Sequence, residues 1–241
     1  MSLAFITLTN DGYIDYTINC LESLKRINTP VFPTCYCVGD KSHLAISNAG
    51  YNSVLLADEN DSTKEFQIFR KGNWSNITFK KFEIIYENLR KFDYVLFTDG
   101  DIIFENPDII KYLMDNIGNA DILIQNDTMT DGDINQLCTG FMLVRSSSIT
   151  RQFFNPIYSR KYTNIEGLDD QAYLNSVKFK LNFKLLPLDL FPNGQYFYAN
   201  SQRLTPYMIH FNWCVGHVKK EKMLAYKKWF LPEQQLEQES Q

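Results

Sequence analysis

The chain has 241 residues and a formal net charge of −4, a length that suits one large α/β domain or two small ones. With 44% hydrophobic and 22% charged residues it has ordinary globular composition, which excludes a disordered chain. It has no basic excess, which excludes a nucleic-acid binder, so an anionic ligand needs a local positive charge from a divalent metal or clustered lysines. Taken in chain order, Leu3–Thr9 is an apolar run and predicts a buried first strand. Asn10-Asp11-Gly12 predicts a turn, and Ile14, Ile18, Leu21 and Leu24 then recur at helical spacing. Val31–Val38 predicts a second strand, Leu44–Ala49 a short helix and Asn52–Leu56 a third strand. This alternation implies a parallel sheet with helices on its faces.

Asp58–Asn76 is polar and is predicted to be a loop. Phe82, Ile85, Leu89 and Phe92 mark an amphipathic helix leading into the strand Tyr94–Phe97, which ends in Thr98-Asp99-Gly100-Asp101. A helix over Asp108–Met114, strands at Asp121–Gln125 and Gly140–Arg145, a helix after Ser146 and a helix over Asp170–Phe179 follow. Beyond them, Leu185–Leu188, Tyr196–Tyr198 and Met208–Phe211 are short strand candidates, and Val218–Trp229 is a basic helix. One domain is expected over 1–231, with 232–241 a disordered polar tail. The five cysteines suggest no disulfide framework, and Cys35 and Cys37 alternate along a strand as buried thiols. With no signal peptide or membrane span, a reduced, cytoplasmic chain is expected.

Asp99-Gly100-Asp101 carries the clearest chemistry. It lies at the C-terminal end of a buried strand, the edge where open α/β sheets bind ligands. In extended backbone the two carboxylates point to the same side, and Gly100 is expected to let a ligand approach the backbone. Converging hard oxygen donors suit Mg²⁺ or Mn²⁺. A solvated turn would have the same Asp-Gly composition, but here apolar runs flank the motif on both sides.

Phe92–Phe104 resembles the DxD segment of GT-A-fold nucleotide-diphospho-sugar glycosyltransferases of the glycogenin-like superfamily. Four other segments resemble the same group in the same order: Thr7–Tyr13, Thr139–Arg145, Gly167–Asn175 and His210–Lys220. The resemblance implies a mostly parallel Rossmann-like sheet. It also implies a UDP-sugar donor held through a divalent metal, and a glycan or other hydroxyl acceptor. Asp99, Asp101 and His210 would be the metal ligands, and an imidazole among them favours Mn²⁺ over Mg²⁺. Thr9, Asn10 and Tyr13 would contact the nucleoside. Thr139, Gly140 and Asn212 belong to the donor-binding segments. Gly216 and a following lysine would meet the diphosphate, with Lys220 favoured by register and Lys219 the alternative.

The resemblance puts Asp170 at the reaction centre beside Asp169, whereas a helix N-cap explains either acid equally well. Lys81 would touch donor phosphates or the nucleoside, or lie at the surface with Lys80. Gln125, with Asn126 and Asp127, is within reach of sugar hydroxyls. Cys138 departs from the pattern, since relatives often carry Asn there. A metal-dependent phosphohydrolase or nucleotidyltransferase also uses strand-end aspartates, although neither a second acidic cluster nor a P-loop is evident. A non-catalytic nucleotide-sugar binder is a third reading.

Overall fold

The computed structural model describes residues 1–56, 64–65, 74–162, 165 and 168–232. Most of the predicted 58–76 loop, Gly167 and the predicted tail beyond Pro232 lie outside the described residues. The chain begins as a β-α-β-α-β run: β1 (Leu3–Asn10), α1 (Ile14–Arg26), β2 (Thr34–Val38), α2 (Asp40–Asn48) and β3 (Ser53–Leu55). Next come α3 (Trp74–Leu89), β4 (Tyr94–Thr98), β5 (Ile102–Phe104), α4 (Ile109–Asn116), β6 (Ile122–Asn126) and β7 (Leu137–Arg145). Then follow α5 (Ser148–Phe153), α6 (Pro156–Ser159), α7 (Asp170–Val177), β8 (Phe183–Leu186), α8 (Gly194–Asn200), β9 (Met208–His210) and α9 (His217–Ala225).

Seven strands form one sheet in the order β3-β2-β1-β4-β7-β6-β8. Pairing is parallel from β3 through β4 and again between β6 and β8, while β7 runs antiparallel to both of its neighbours. This is the predicted mostly parallel α/β architecture. Strand alternation divides the core. Val95 and Phe97 of β4 join Phe82 and Ile85 of α3 on one face. Tyr94 and Leu96 join Leu24, Phe104 and Phe141 on the other. Phe82 is fully buried, with ring contacts to Phe79, Phe153, Phe154 and Tyr173. Truncating such a ring costs about 3–5 kcal/mol and would loosen α3 next to Lys81.

Three local features position the site. Asp99-Gly100-Asp101 forms the turn between β4 and β5, and β5 pairs with β9 so that Ile102 lies opposite His210. Residues far apart in sequence therefore share one sheet edge. The β6–β7 register jumps from Ile124↔Met142 to Gln125↔Cys138, so Thr139, Gly140 and Phe141 have no counterpart on β6. Such bulges recur beside active sites because they re-aim side chains. Finally, Trp213 has φ 59°, a left-handed conformation that is an outlier for a bulky residue.

Three element predictions need correction. The predicted 58–76 loop ends early, since Trp74–Asn76 already belong to α3. Tyr196–Tyr198 is helical, because Asn193 caps α8 by accepting a hydrogen bond from Tyr196 N, which outweighs aromatic β-propensity. The C-terminal helix stops at Ala225, short of the predicted Trp229. Lys228 N closes on Met223 O, and Lys227 turns left-handed at φ 58°.

Candidate active site

Asp101 is the most enclosed acid of the DxD turn, 5% exposed. One carboxylate oxygen lies 3.2 Å from His210 Nε2, and the other accepts from the Lys219 ammonium. Burial alone would raise its pKa, but Lys219 and His210 outweigh burial and hold the carboxyl well below the usual range. Asp99 Oδ2 lies 3.9 Å from the same imidazole nitrogen, and Asp99 Oδ1 lies 3.1 Å from Lys81 Nζ. Single ligand atoms of Asp99, Asp101 and His210 all fall within 4.8 Å of one another. Two ligands about 2.1 Å from one cation stand up to about 4.2 Å apart, so a small rearrangement fits a divalent ion here.

The imidazole is held from behind. His210 Nδ1 lies 2.8 Å from Gln125 Oε1, and Gln125 Nε2 donates to Phe191 O at 3.2 Å. The amide oxygen accepts Nδ1–H, which leaves the Nε2 lone pair facing the aspartates. This corrects the expectation for Gln125. It is fully buried with both amide ends engaged, so it positions His210 and does not reach a sugar. Gly140 allows the close approach: a Cβ there would lie 2.3 Å from His210 Cε1 and 2.6 Å from Asp99 Oδ2. Cys138 Sγ sits 3.6 Å from His210 Nδ1. Burial, with Asp127 and Asp99 nearby, pushes its pKa up, so it is a neutral thiol.

Gly100 also takes a different part. A Cβ on it would lie 2.4 Å from Thr17 Oγ1, so its bare face meets α1 and not the ligand side. Thr17 Oγ1 in turn donates to Thr9 Oγ1 at 2.9 Å, which turns the Thr9 hydroxyl toward the helix. Asn10 donates its side-chain amide to Glu65 O at 2.6 Å. Tyr13 OH accepts from Lys219 Nζ at 2.6 Å, and burial together with Asp101 and Asp99 raises its pKa well above the usual phenol range.

Lys219, not the favoured Lys220, reaches the acids. Gly216, with φ 55°, caps α9, and Lys219 in its first turn is 7% exposed. Lys220 turns the other way, its ammonium 4.7 Å from the centre of the Trp229 ring. On the opposite side Lys81 is 5% exposed, 2.8 Å from Asp170 Oδ2, and within 3.4 Å of Thr139 O and Oγ1. Burial opposes its charge, but Asp170 and Asp99 outweigh burial and hold its pKa above the ordinary lysine value. The two neighbouring acids divide their work. Asp169 caps α7 by accepting from Ala172 N at 2.7 Å. Asp170 faces Lys81, and burial keeps its pKa raised despite that partner. The three inward carboxylates face two ammonium groups and leave one negative charge. A divalent cation reverses the sign, and a diphosphate then complements it.

A second cluster gathers around Asp127, itself 8% exposed; the sequence marks Asp127 and Asn212 separately but does not show that they meet. Its Oδ2 accepts from Gln171 Nε2 at 2.8 Å. Its Oδ1 accepts from Asn212 Nδ2 and Trp213 Nε1, each at 2.9 Å. Asn212 is further tied through Oδ1 to Gly194 N at 2.6 Å. All these donors are neutral.

The sequence pattern of the nucleotide-diphospho-sugar transferase family matches residues 35–224, most of the chain. The chain belongs to this family. It is also similar to a UDP-galactose:fucoside alpha-3-galactosyltransferase of Dictyostelium discoideum, 24% identical over 288 aligned positions. That match takes in 96% of this chain but only 44% of the relative, so the chain spans less than half of the relative's length. In fold it resembles the galactosyltransferase LgtC bound to donor and acceptor sugar analogs. The TM-score is 0.61 at 12% identity, covering 95% of this chain and 98% of that one. It also resembles the glycosyltransferase GlyE of Streptococcus pneumoniae, at TM-score 0.60 and 16% identity, covering 95% of this chain and 61% of that one. These identities establish the shared architecture. Among the described residues, no helix is long and apolar enough to cross a membrane.

Proposed function

We propose that this nucleotide-diphospho-sugar transferase moves a sugar from a UDP-sugar donor to an acceptor hydroxyl on a glycan, with Mn²⁺ as its cofactor. The observation that carries the reading is the convergence of Asp99, Asp101 and His210 within 4.8 Å, flanked by Lys81 and Lys219. Asp99, Asp101 and His210 would hold the ion, and the imidazole favours manganese over magnesium. When bound, the ion offsets charge on the departing diphosphate.

The chain's own residues do the rest. Lys219 exchanges its contact with Asp101 for the diphosphate and neutralises the leaving group. Thr9 and Asn10, which end β1, and Tyr13, just before α1, would meet the nucleoside. Lys81 holds Asp170 and Asp99 in register, so that the Asp170 carboxylate faces the anomeric carbon as positive charge develops there.

The Dictyostelium relative's name supplies the first substrates to try: UDP-galactose as donor and methyl α-L-fucoside as acceptor, within a panel of UDP-sugars and methyl glycosides. The purified chain with Mn²⁺ is expected to release UDP and a new disaccharide. It is expected to release UDP and free sugar slowly without acceptor, and Asp101→Asn should remove both activities. Release of sugar phosphate with a nucleoside monophosphate would identify a phosphohydrolase instead. Binding without turnover across the panel would identify a non-catalytic binder. Either result overturns the proposal.

A further inference from the structure

Trp213 is 57% exposed, yet the structure fixes it from two sides. Its backbone sits at φ 59°, a left-handed conformation that is strained for a bulky side chain. Its indole N–H is committed to Asp127 Oδ1 at 2.9 Å. An aromatic ring left in water gains little for the fold, and a surface loop seldom keeps a strained conformation to display one. The anchoring carboxylate also holds Gln171, the neighbour of Asp170, and Asn212, two residues from His210. The ring is therefore indexed to both the reaction centre and the metal site through one carboxylate.

Topology decides which ligand the ring meets. In the sheet, β1 lies on one side of β4, while β7 and then β6, which leads into Asp127, lie on the other. The nucleoside segment Thr9–Tyr13 is on the β1 side of the DxD turn, and Trp213 is on the β6 side. A base stacked on Trp213 would have to cross the diphosphate site. A pyranose bringing its hydroxyl to the anomeric carbon from the β6 side would not. The apolar C–H face of a pyranose complements the electron-rich face of indole, and Val215, also exposed at 59%, follows two residues on.

The geometry points to Trp213 as the acceptor platform: its indole, tethered edge-on by Asp127, stacks on the sugar ring that receives the transferred residue. This inference rests on the transferase reading, and the test separates the two. Turnover is first measured on the wild-type chain with UDP-galactose, Mn²⁺ and the methyl glycoside panel. Trp213→Ala and Trp213→Phe are then compared by acceptor KM, by affinity for UDP with Mn²⁺, and by the fluorescence change on adding each glycoside without donor.

Loss of one stacked ring raises the Ala variant's acceptor KM about tenfold or more. The Phe variant keeps a ring without the N–H and recovers most of that loss. Affinity for UDP stays within about twofold in both, since the nucleotide lies across the turn. The wild-type fluorescence change on glycoside addition disappears in Trp213→Ala, which assigns it to this indole and not to Trp74 or Trp229. The inference fails if Trp213→Ala leaves acceptor KM unchanged or weakens UDP as much as acceptor. It fails equally if Trp213→Phe behaves like Ala, which would reduce Trp213 to a tether for Asp127, or if no glycoside changes the wild-type fluorescence. Absence of turnover alongside an intact, Trp213-dependent glycoside signal would instead sink the transferase reading and leave the platform standing.

Discussion

The two banks of the candidate site, one around the DxD turn and one around Asp127, are built on opposite electrostatic plans. On the DxD bank, Asp99, Asp101 and Asp170 meet Lys81 and Lys219 within ion-pair distance, nearly every group is buried, and the pKa of Asp101 falls while that of Lys81 rises. On the other bank one carboxylate, Asp127, is surrounded by neutral N–H donors and opens onto solvent at Trp213. Buried charges are tolerated only when paired, so removing one member exposes the desolvation cost of the rest. A carboxylate shared among three neutral donors keeps two of them when one is lost, and so tolerates single losses better. The first bank is therefore suited to gripping a highly charged diphosphate, the second to ranking uncharged sugar rings.

The largest expected effect is on the charged bank. Asp101→Asn should abolish measurable Mn²⁺-dependent UDP binding by calorimetry while circular dichroism shows the fold retained. Binding as tight as in the parent would remove Asp101 from the metal site. Next, Lys219→Ala should lower kcat about 10²–10³-fold, the scale of one lost transition-state donor, whereas Lys220→Ala should stay within about twofold. The reverse ranking would restore the register expected from sequence.

A step smaller, Gln125→Leu should weaken Mn²⁺ about 10–100-fold by freeing the imidazole, measured by metal titration without sugar; unchanged affinity would show that His210 orients itself. Smallest is Gly100→Ala, which should cost about 1–3 kcal/mol in chemical denaturation through its clash with Thr17. The penalty should shrink in a Thr17→Ala background. A penalty that persists there would return Gly100 to the ligand side.

Much of this division is written in the sequence, but unevenly. The DxD turn stands out because a buried strand runs into it and a second apolar run leaves it. His210 stands out only through its surrounding motif. Lys219 is obscured because two adjacent lysines follow Gly216. Both lysines fall within one turn of that glycine, so spacing alone does not separate them; Asp101 and Tyr13 on one side and Trp229 on the other do. Gln125 reads as the polar end of a strand, and nothing local announces that its partner is 85 residues away. The Asp127 cluster is harder still, since it gathers α7, the segment after β9 and the end of β6, which share no sequence pattern. Asn193-Gly194 did carry a cap signal for α8, but the aromatic run behind it reads as strand.

The stretch Thr139–Phe141 is loose on one side only: it has no counterpart on β6, while Phe141 pairs with Thr98 and Gly140 O accepts from Asp99 N at 2.7 Å. Its outer neighbours on β7 stay clamped, at Met142 against β4 and β6 and at Cys138 against Gln125. On the β4 side the strand stays bound, so a residue gained or lost there would break the pairing with Thr98 and Asp99. Side-chain changes on the β6-facing side alone would move Gly140 against Asp99 and Thr139 against Lys81, and so tune the acid-lysine cluster while β4 keeps its partner.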